Sequence, residues 1–227
     1  MVILSDTSPN ASPEAAGAAP RRSRTRQALL DAGLRLMAEK PIDAIAIDEI
    51  VRAAGVAKGS FFNHFEDKEA FAAAVAAQVR GEVESGVEQL NAGKDDPASR
   101  VARAVCLYVL SALRDPRRAG VMLRAPTQAS HMTTPLNQGV VADISQGLLA
   151  GRFAVPTAEA GVLLVIGAAQ AMLARVIGEP SPSVAAVITQ QLCAMLLRGL
   201  GLAAAEADGI AARAVHEVLG PTGAASP

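Results

Sequence analysis

Apolar positions recur three and four residues apart in one block after another, and no block alternates convincingly as a strand. In 24–40, Ala28, Leu29, Ala32, Leu36 and Met37 form one stripe, and Pro41 closes the helix because proline cannot extend the ladder. In 47–65, Ile50, Val51, Ala53, Ala54 and Val56 form a second stripe. Gly55 there offers the left-handed turn that stops a helix. A third helix is expected over 57–65. Its Phe61 and Phe65, four apart, share the inner face, which leaves Lys58, Ser60, Phe62, Asn63 and His64 outward. Glu66 and Asp67 then open a longer helix to about residue 90, with Ala70, Phe71, Ala74 and Val75 inward, since acids suit a first turn. A short outward-facing helix held across a glycine turn is what a helix-turn-helix reader of DNA needs; an ordinary helical hairpin has the same spacing.

Residues 91–97, Asn-Ala-Gly-Lys-Asp-Asp-Pro, read as a linker. Beyond it, apolar helices are expected over 98–114, 117–124, 135–153, 157–177, 181–200 and 204–219, with a loop over 125–134. Thr157 and Ser181 are placed to cap two of them. Residues 1–20 are rich in Ser, Pro, Ala and Gly without periodicity, and read as a disordered tail. The pattern predicts an all-α protein with a three-helix N-terminal domain over 21–71 and a larger helical domain over 72–220.

Composition adds to this picture at three points. Half the residues are hydrophobic (51%), with no Trp and one Tyr, so the core is aliphatic and alanine-rich. The formal net charge of −1 neither favours nor excludes nucleic acid, so any basic footprint must be local. Arg21, Arg22, Arg24 and Arg26 supply one, with no acid before Asp31. They read as a solvated arm or, beside a helix-turn-helix candidate, as a phosphate-seeking one. Cys106 and Cys193 lie far apart in apolar surroundings with no CxxC, which suits core thiols in a reduced, cytoplasmic compartment. The most apolar window, 160–177, is broken by Gln170 and Arg175 and reads as a buried helix, so no membrane partner is expected. His131 is isolated, so no metal is expected, and no cofactor motif is present. The absence of a nucleophile–base set, paired carboxylates in an apolar segment or a phosphate-cradling loop argues against an enzyme.

The segments RQALLDAGLRLMAEK, IDEIVRAAGV and AKGSFFNHFEDKEAF, at these separations, resemble the DNA-binding domain of the TetR (tetracycline-repressor) family of bacterial transcription regulators. The resemblance covers about a fifth of the chain. It implies that Ser60, Asn63 and His64 face the major groove or its rim, and that Lys58 and Lys68 sit over phosphates. Arg24, Thr25 and Arg26 would reach the DNA backbone from the start of the first helix. Phe62 stands where the family usually has Tyr, keeping the apolar contact and losing the hydroxyl. No Arg lies within 57–65, so the common Arg–guanine contact is missing there. Ala46 and Ala57 replace usual helix caps and Pro41 replaces a usual Gly, which points to a less stable small domain.

The same resemblance implies a C-terminal half that binds a small molecule and dimerises through its last long helices. The expected partners are a palindromic double-stranded DNA operator, a small apolar or amphipathic effector, and a second copy of the chain. Helices 157–177 and 181–200 are apolar nearly all round, more than one chain of this size can bury, which suits a four-helix bundle in a homodimer. Tyr108, Met122, His131, Met132, Asn137, Gln146 and Gln170 are the polar or adaptable candidates to line the ligand site. The helix from 67 to 90 is the expected lever between the halves. The reading is a repressor released by its effector; the alternative is an all-α apolar-ligand carrier or enzyme without DNA binding.

Overall fold

The stripe that begins at Ala28 belongs to a helix longer than its pattern. In the computed structural model, which describes residues 13–124 and 132–220, α1 runs Pro13–Glu39. The expected tail over 1–20 is therefore corrected over 13–20. Ala15, Ala16, Ala18 and Ala19 are the strongest helix formers and Pro13 suits a first position, so an aperiodic stretch is helical all the same. Pro41 ends the helix as expected and leads into a 3-10 turn, Ile42–Ala44.

α2 (Ile47–Ala54) stops at Gly55, whose φ of 68° is the left-handed turn that the sequence called for. α3 is shorter than expected, Lys58–Phe62 rather than 57–65. The chain tightens after Phe62: His64 N–H bonds Phe61 O at 3.0 Å in a three-residue step. Asp67 must then leave helical geometry to cap α4, accepting from Ala70 N–H at 2.6 Å. Phe61 and Phe65 still pack inward, with ring centroids 5.3 and 5.0 Å from Phe71. Leu29, Met37, Ile45 and Ile50 close this small core. Ala53 and Ala70, expected inward, face solvent.

Neither Ala46 nor Ala57 offers a side-chain acceptor to its helix, although both backbones are extended as a cap requires. Ala57→Ser is therefore expected to stabilise the N-terminal domain by about 0.5–1 kcal/mol. Amide hydrogen exchange in α2 and α3 would show it, and unchanged protection there would refute it.

α4 (Lys68–Asn91) runs from this domain into the second. There α5 (Pro97–Arg114) is central, packed by α4, α6 (Pro116–Arg124), α7 (Gln138–Leu149), α8 (Ala158–Gly178), α9 (Pro182–Gly199) and α10 (Ala204–Leu219). Among the described residues the protein is all-α, with no strand. α7 ends at Leu149 rather than 153. Gly151 turns left-handed (φ 64°), and Arg152 and Phe153 N–H both return to Gly147 O at 2.7 and 3.0 Å. Phe153 then covers Gly147, where a Cβ would lie 2.0 Å from its ring. Thr157 caps α8 through Ala160 N–H at 3.1 Å, whereas the Ser181 side chain does not cap α9. Cys106 and Cys193 come together between α5 and α9, both buried; a hydrogen bond with Cys193 and burial push the Cys106 thiol up.

α8 is long and apolar enough to cross a membrane by length and composition, and 33% of its most apolar window is buried. α5, α6, α7 and α9 pack on one side of it. The expectation of a buried helix thus holds for one face. The other face, with its neighbour on α9, leaves Leu163, Leu164, Val184, Val187 and Met195 exposed.

α4 is not the sole link between the halves. α6 packs against α1 as well as α4 and α8. Its Val121 is fully buried in the N-terminal core, and Arg124 Nη1 donates to Met37 O at 2.8 Å.

Candidate DNA-reading face and effector cavity

The short α3 presents what its outer positions promised. Phe62 is 55% exposed, Lys58 and Asn63 are exposed, and Ser60 and His64 are half-buried. Lys58 Nζ lies 2.9 Å from Asp48, an exposed pair that water screens and a phosphate can replace. Arg24 is exposed and Thr25 half-buried on α1. The arm meets the reading helix directly: Arg22 Nη2 donates to Asn63 O at 3.3 Å, and the Arg26 guanidinium lies 5.5 Å from the Phe65 ring centre. Burial, and then the charges of Arg22 and Arg26, hold the His64 pKa below its ordinary value. Arg22 and Arg26, both of the basic arm expected from the sequence, thus touch the reading segment.

Lys68 does something else. Its Nζ donates to the carbonyls of Ile42, Asp43 and Ile45 at 3.2, 3.4 and 3.0 Å. The turn that Pro41 imposes aims these carbonyls at the start of α4, so the ammonium closes the turn. Asn63→Ala is expected to weaken specific DNA binding more than non-specific binding, because an exposed amide here would meet base edges rather than phosphates. Competition binding with specific and random duplexes measures this; equal losses would reassign the residue.

In the second domain a cavity of about 660 Å³ opens among α4, α5, α6, α7 and α8. Val101, Val105, Val165, Ile166, Ala169 and Leu173 form its apolar side. Tyr108, Met122 and Gln170 line it as expected. Asn137 is fully buried behind the wall, accepting from Arg80 Nη2, and Gln146 faces solvent on α7, outside the lining. His131 lies outside the described residues.

The polar wall is richer than the sequence suggested. Tyr108 donates to Glu84 and accepts from Arg80 Nε at 3.2 Å, and Arg80 Nη2 reaches Leu136 O at 3.2 Å. Burial first, then the Glu84 charge, push the Tyr108 phenol up, so it stays a donor. Arg100 and Asp143 form an ion pair at 2.6 Å. Burial raises Asp143 to about 6 against the pull of Arg100, and Glu84 adds to the rise. Arg80, Glu84, Arg100 and Asp143 were missed. The signals were present: an Arg and a Glu four apart on the lever helix, and one Asp inside the apolar run that became α7. Among the described residues no group of three His, Cys, Asp or Glu is placed to hold a metal ion.

Residues 29–75 match the bacterial regulatory proteins of the tetR family. Residues 96–213, more than half the chain, match the tetracyclin repressor-like C-terminal domain. The chain belongs to the TetR family. Its members are transcription regulators, and this TetR-type protein is a regulator rather than an enzyme. The HTH-type transcriptional repressor DhaR of Mycobacterium sp. (strain GP1) is 46% identical over 50 residues, 22% of this chain and 25% of that protein. The transcriptional regulator AcuR of Cereibacter sphaeroides is 42% identical over 57 residues, 25% of this chain and 26% of AcuR. These matches span about a quarter of each curated relative. Among solved structures, RolR in complex with resorcinol is 27% identical with a TM-score of 0.63, over 86% of this chain and 96% of RolR. A TetR-family regulator from Shewanella sp. PV-4 shares the fold at 19% identity and a TM-score of 0.67, over 79% of this chain and 99% of its own.

Proposed function

We propose that this TetR-family protein is a cytoplasmic repressor that binds a palindromic operator as a homodimer and is released by a small amphipathic molecule in the 660 Å³ cavity. The observation that carries this is α6. Met122 and Leu123 line the cavity, Val121 is buried in the DNA-reading domain, and Arg124 holds the end of α1. A ligand that repositions α6 therefore moves the reading head, with α4 as the covalent second lever. Release follows if the ligand prefers a head spacing other than the roughly 34–36 Å of one helical turn. The exposed apolar face of α8 and α9 supports the homodimer, since pairing it with a second copy removes it from water.

Arg24, Arg26, Lys58 and the start of α1 position the duplex, while Ser60, Phe62, Asn63 and His64 read it. The cavity joins an aliphatic side to a hydrogen-bonding side, which suits an apolar body bearing polar groups. RolR's ligand, resorcinol, has that character. A thermal-shift screen of small molecules, followed by gel shift with each hit, tests the coupling. Hits are expected to lower operator affinity, with Arg124→Ala weakening the effect. Hits that bind in the cavity and leave DNA affinity unchanged would refute it.

A further inference from the structure

One polar pair in the cavity wall is left incomplete. Arg100 from α5 and Asp143 from α7 approach to 2.6 Å (Nη2 to Oδ1), and the Asp143 side chain is 7% exposed. The approach lacks hydrogen-bond alignment: Asp143 Oδ1 meets Arg100 as an ion-pair contact alone, and Arg100 Nε has no acceptor. Buried polar groups are nearly always bonded, so an orphaned donor beside an orphaned acceptor invites a third group. Thr189 is the other orphaned side chain among the described residues, and it lies on α9 outside the cavity. The neighbouring polar groups are already satisfied, Arg80 by Tyr108, Leu136 O and Asn137.

The charges around the pair select what that third group can be. Glu84, Glu88, Asp95 and Asp143 oppose Arg80, Lys94 and Arg100 in the lining, and both arginines already face a carboxylate. An anion would meet excess negative charge. A neutral hydroxyl can both donate to Asp143 and accept from Arg100.

We propose that Arg100 and Asp143 together anchor a hydroxyl group on a neutral effector whose apolar body lies against Val165, Ile166 and Leu173. This rests on the reading of the cavity as the effector site. Both orphaned atoms are sealed from water, so the hydroxyl enters as the Asp143 carboxylate rotates about its last bond. The ionised Asp143 carboxylate accepts more strongly than the neutral acid. It faces Arg100 from α5 and Glu84 from α4, while α6 and α8 bring no titratable side chain to the lining. Since burial holds Asp143 at about 6, affinity is full above about pH 7 and falls as the carboxylate protonates below it.

Calorimetry on the full chain with phenol, benzoate and toluene, three probes of one size, tests the anchor without DNA. Phenol is expected to bind at least tenfold more tightly than either other probe. Asp143→Asn should weaken phenol about tenfold and flatten the pH dependence, and Arg100→Lys, which removes Nε, should weaken it too. Melting curves of both variants establish that they fold. Benzoate or toluene matching phenol, no binding of any probe, or unchanged affinity in both folded variants would overturn the anchor. Specific operator binding alongside any of those results faults the anchor alone. A phenol preference lost in both variants, with no operator binding, faults the repressor reading alone.

Discussion

Val187→Glu combined with Met195→Glu is expected to leave the protein monomeric and to lower its operator affinity roughly a thousandfold, the low end of the gap between specific and non-specific binding. Both side chains sit on one face of α9, 58% and 64% exposed, and Leu163 and Leu164 of α8 are exposed as well. Because they are already in water in the single chain, carboxylates there leave the monomer's core intact. In a homodimer each charge would be buried against its symmetry mate without a counter-ion, a cost that apolar contacts do not offset. A palindrome is bound tightly when two reading heads are tethered, and a monomer loses that gain. Sedimentation velocity and fluorescence anisotropy on the same preparations measure both effects. A variant that stays dimeric with unchanged affinity would place the interface elsewhere.

The second large effect concerns the junction between α1 and α4. A Cβ on Gly33 would lie 2.3 Å from Phe71 Cζ and 2.8 Å from Val75 Cγ2. Phe71 is fully buried against Phe61 and Phe65, so its ring has nowhere to retreat. Alanine favours a helix over glycine by about 0.8–1.0 kcal/mol, yet overpacking a core costs about 1–3 kcal/mol. We expect Gly33→Ala to destabilise the N-terminal domain by about 1–2 kcal/mol net. Urea unfolding followed by hydrogen exchange should locate the loss in α1–α3, with α5, α8 and α10 protected as before. A stabilised variant would mean that α1 rides further from α4 than the structure has it.

The regular elements were legible because periodicity and punctuation agreed. Gly55, Pro41 and Thr157 each perform the local task that their chemistry suggested, and α10 begins and ends where its apolar spacing does. The reading helix was overextended because Phe65 keeps the inward spacing after the backbone has left the helix. Side-chain roles were less legible where a long chain chooses among partners that only the fold brings near. Lys68 reads as a phosphate contact by position, and its bonds to three carbonyls some 25 residues earlier in sequence could not be read there. Gln146 and Asp143 lie on the same helix three residues apart, and a small rotation decides which one faces the cavity. Expecting aliphatic walls also drew attention to uncharged polar residues, whereas the cavity brings arginines and carboxylates from α4, α5 and α7 to one side.

This chain is expected to read DNA through α3 and the start of α1, as a dimer. The most direct measurement is equilibrium binding of the intact protein to duplexes covering the DNA that flanks its own gene, titrated across salt. A palindromic site bound by one dimer is expected, preferred over random duplex by roughly a thousandfold or more. Affinity should fall steeply and log-linearly with salt as phosphate contacts release counterions. Binding that shows no preference for any flanking sequence over random DNA would contradict it.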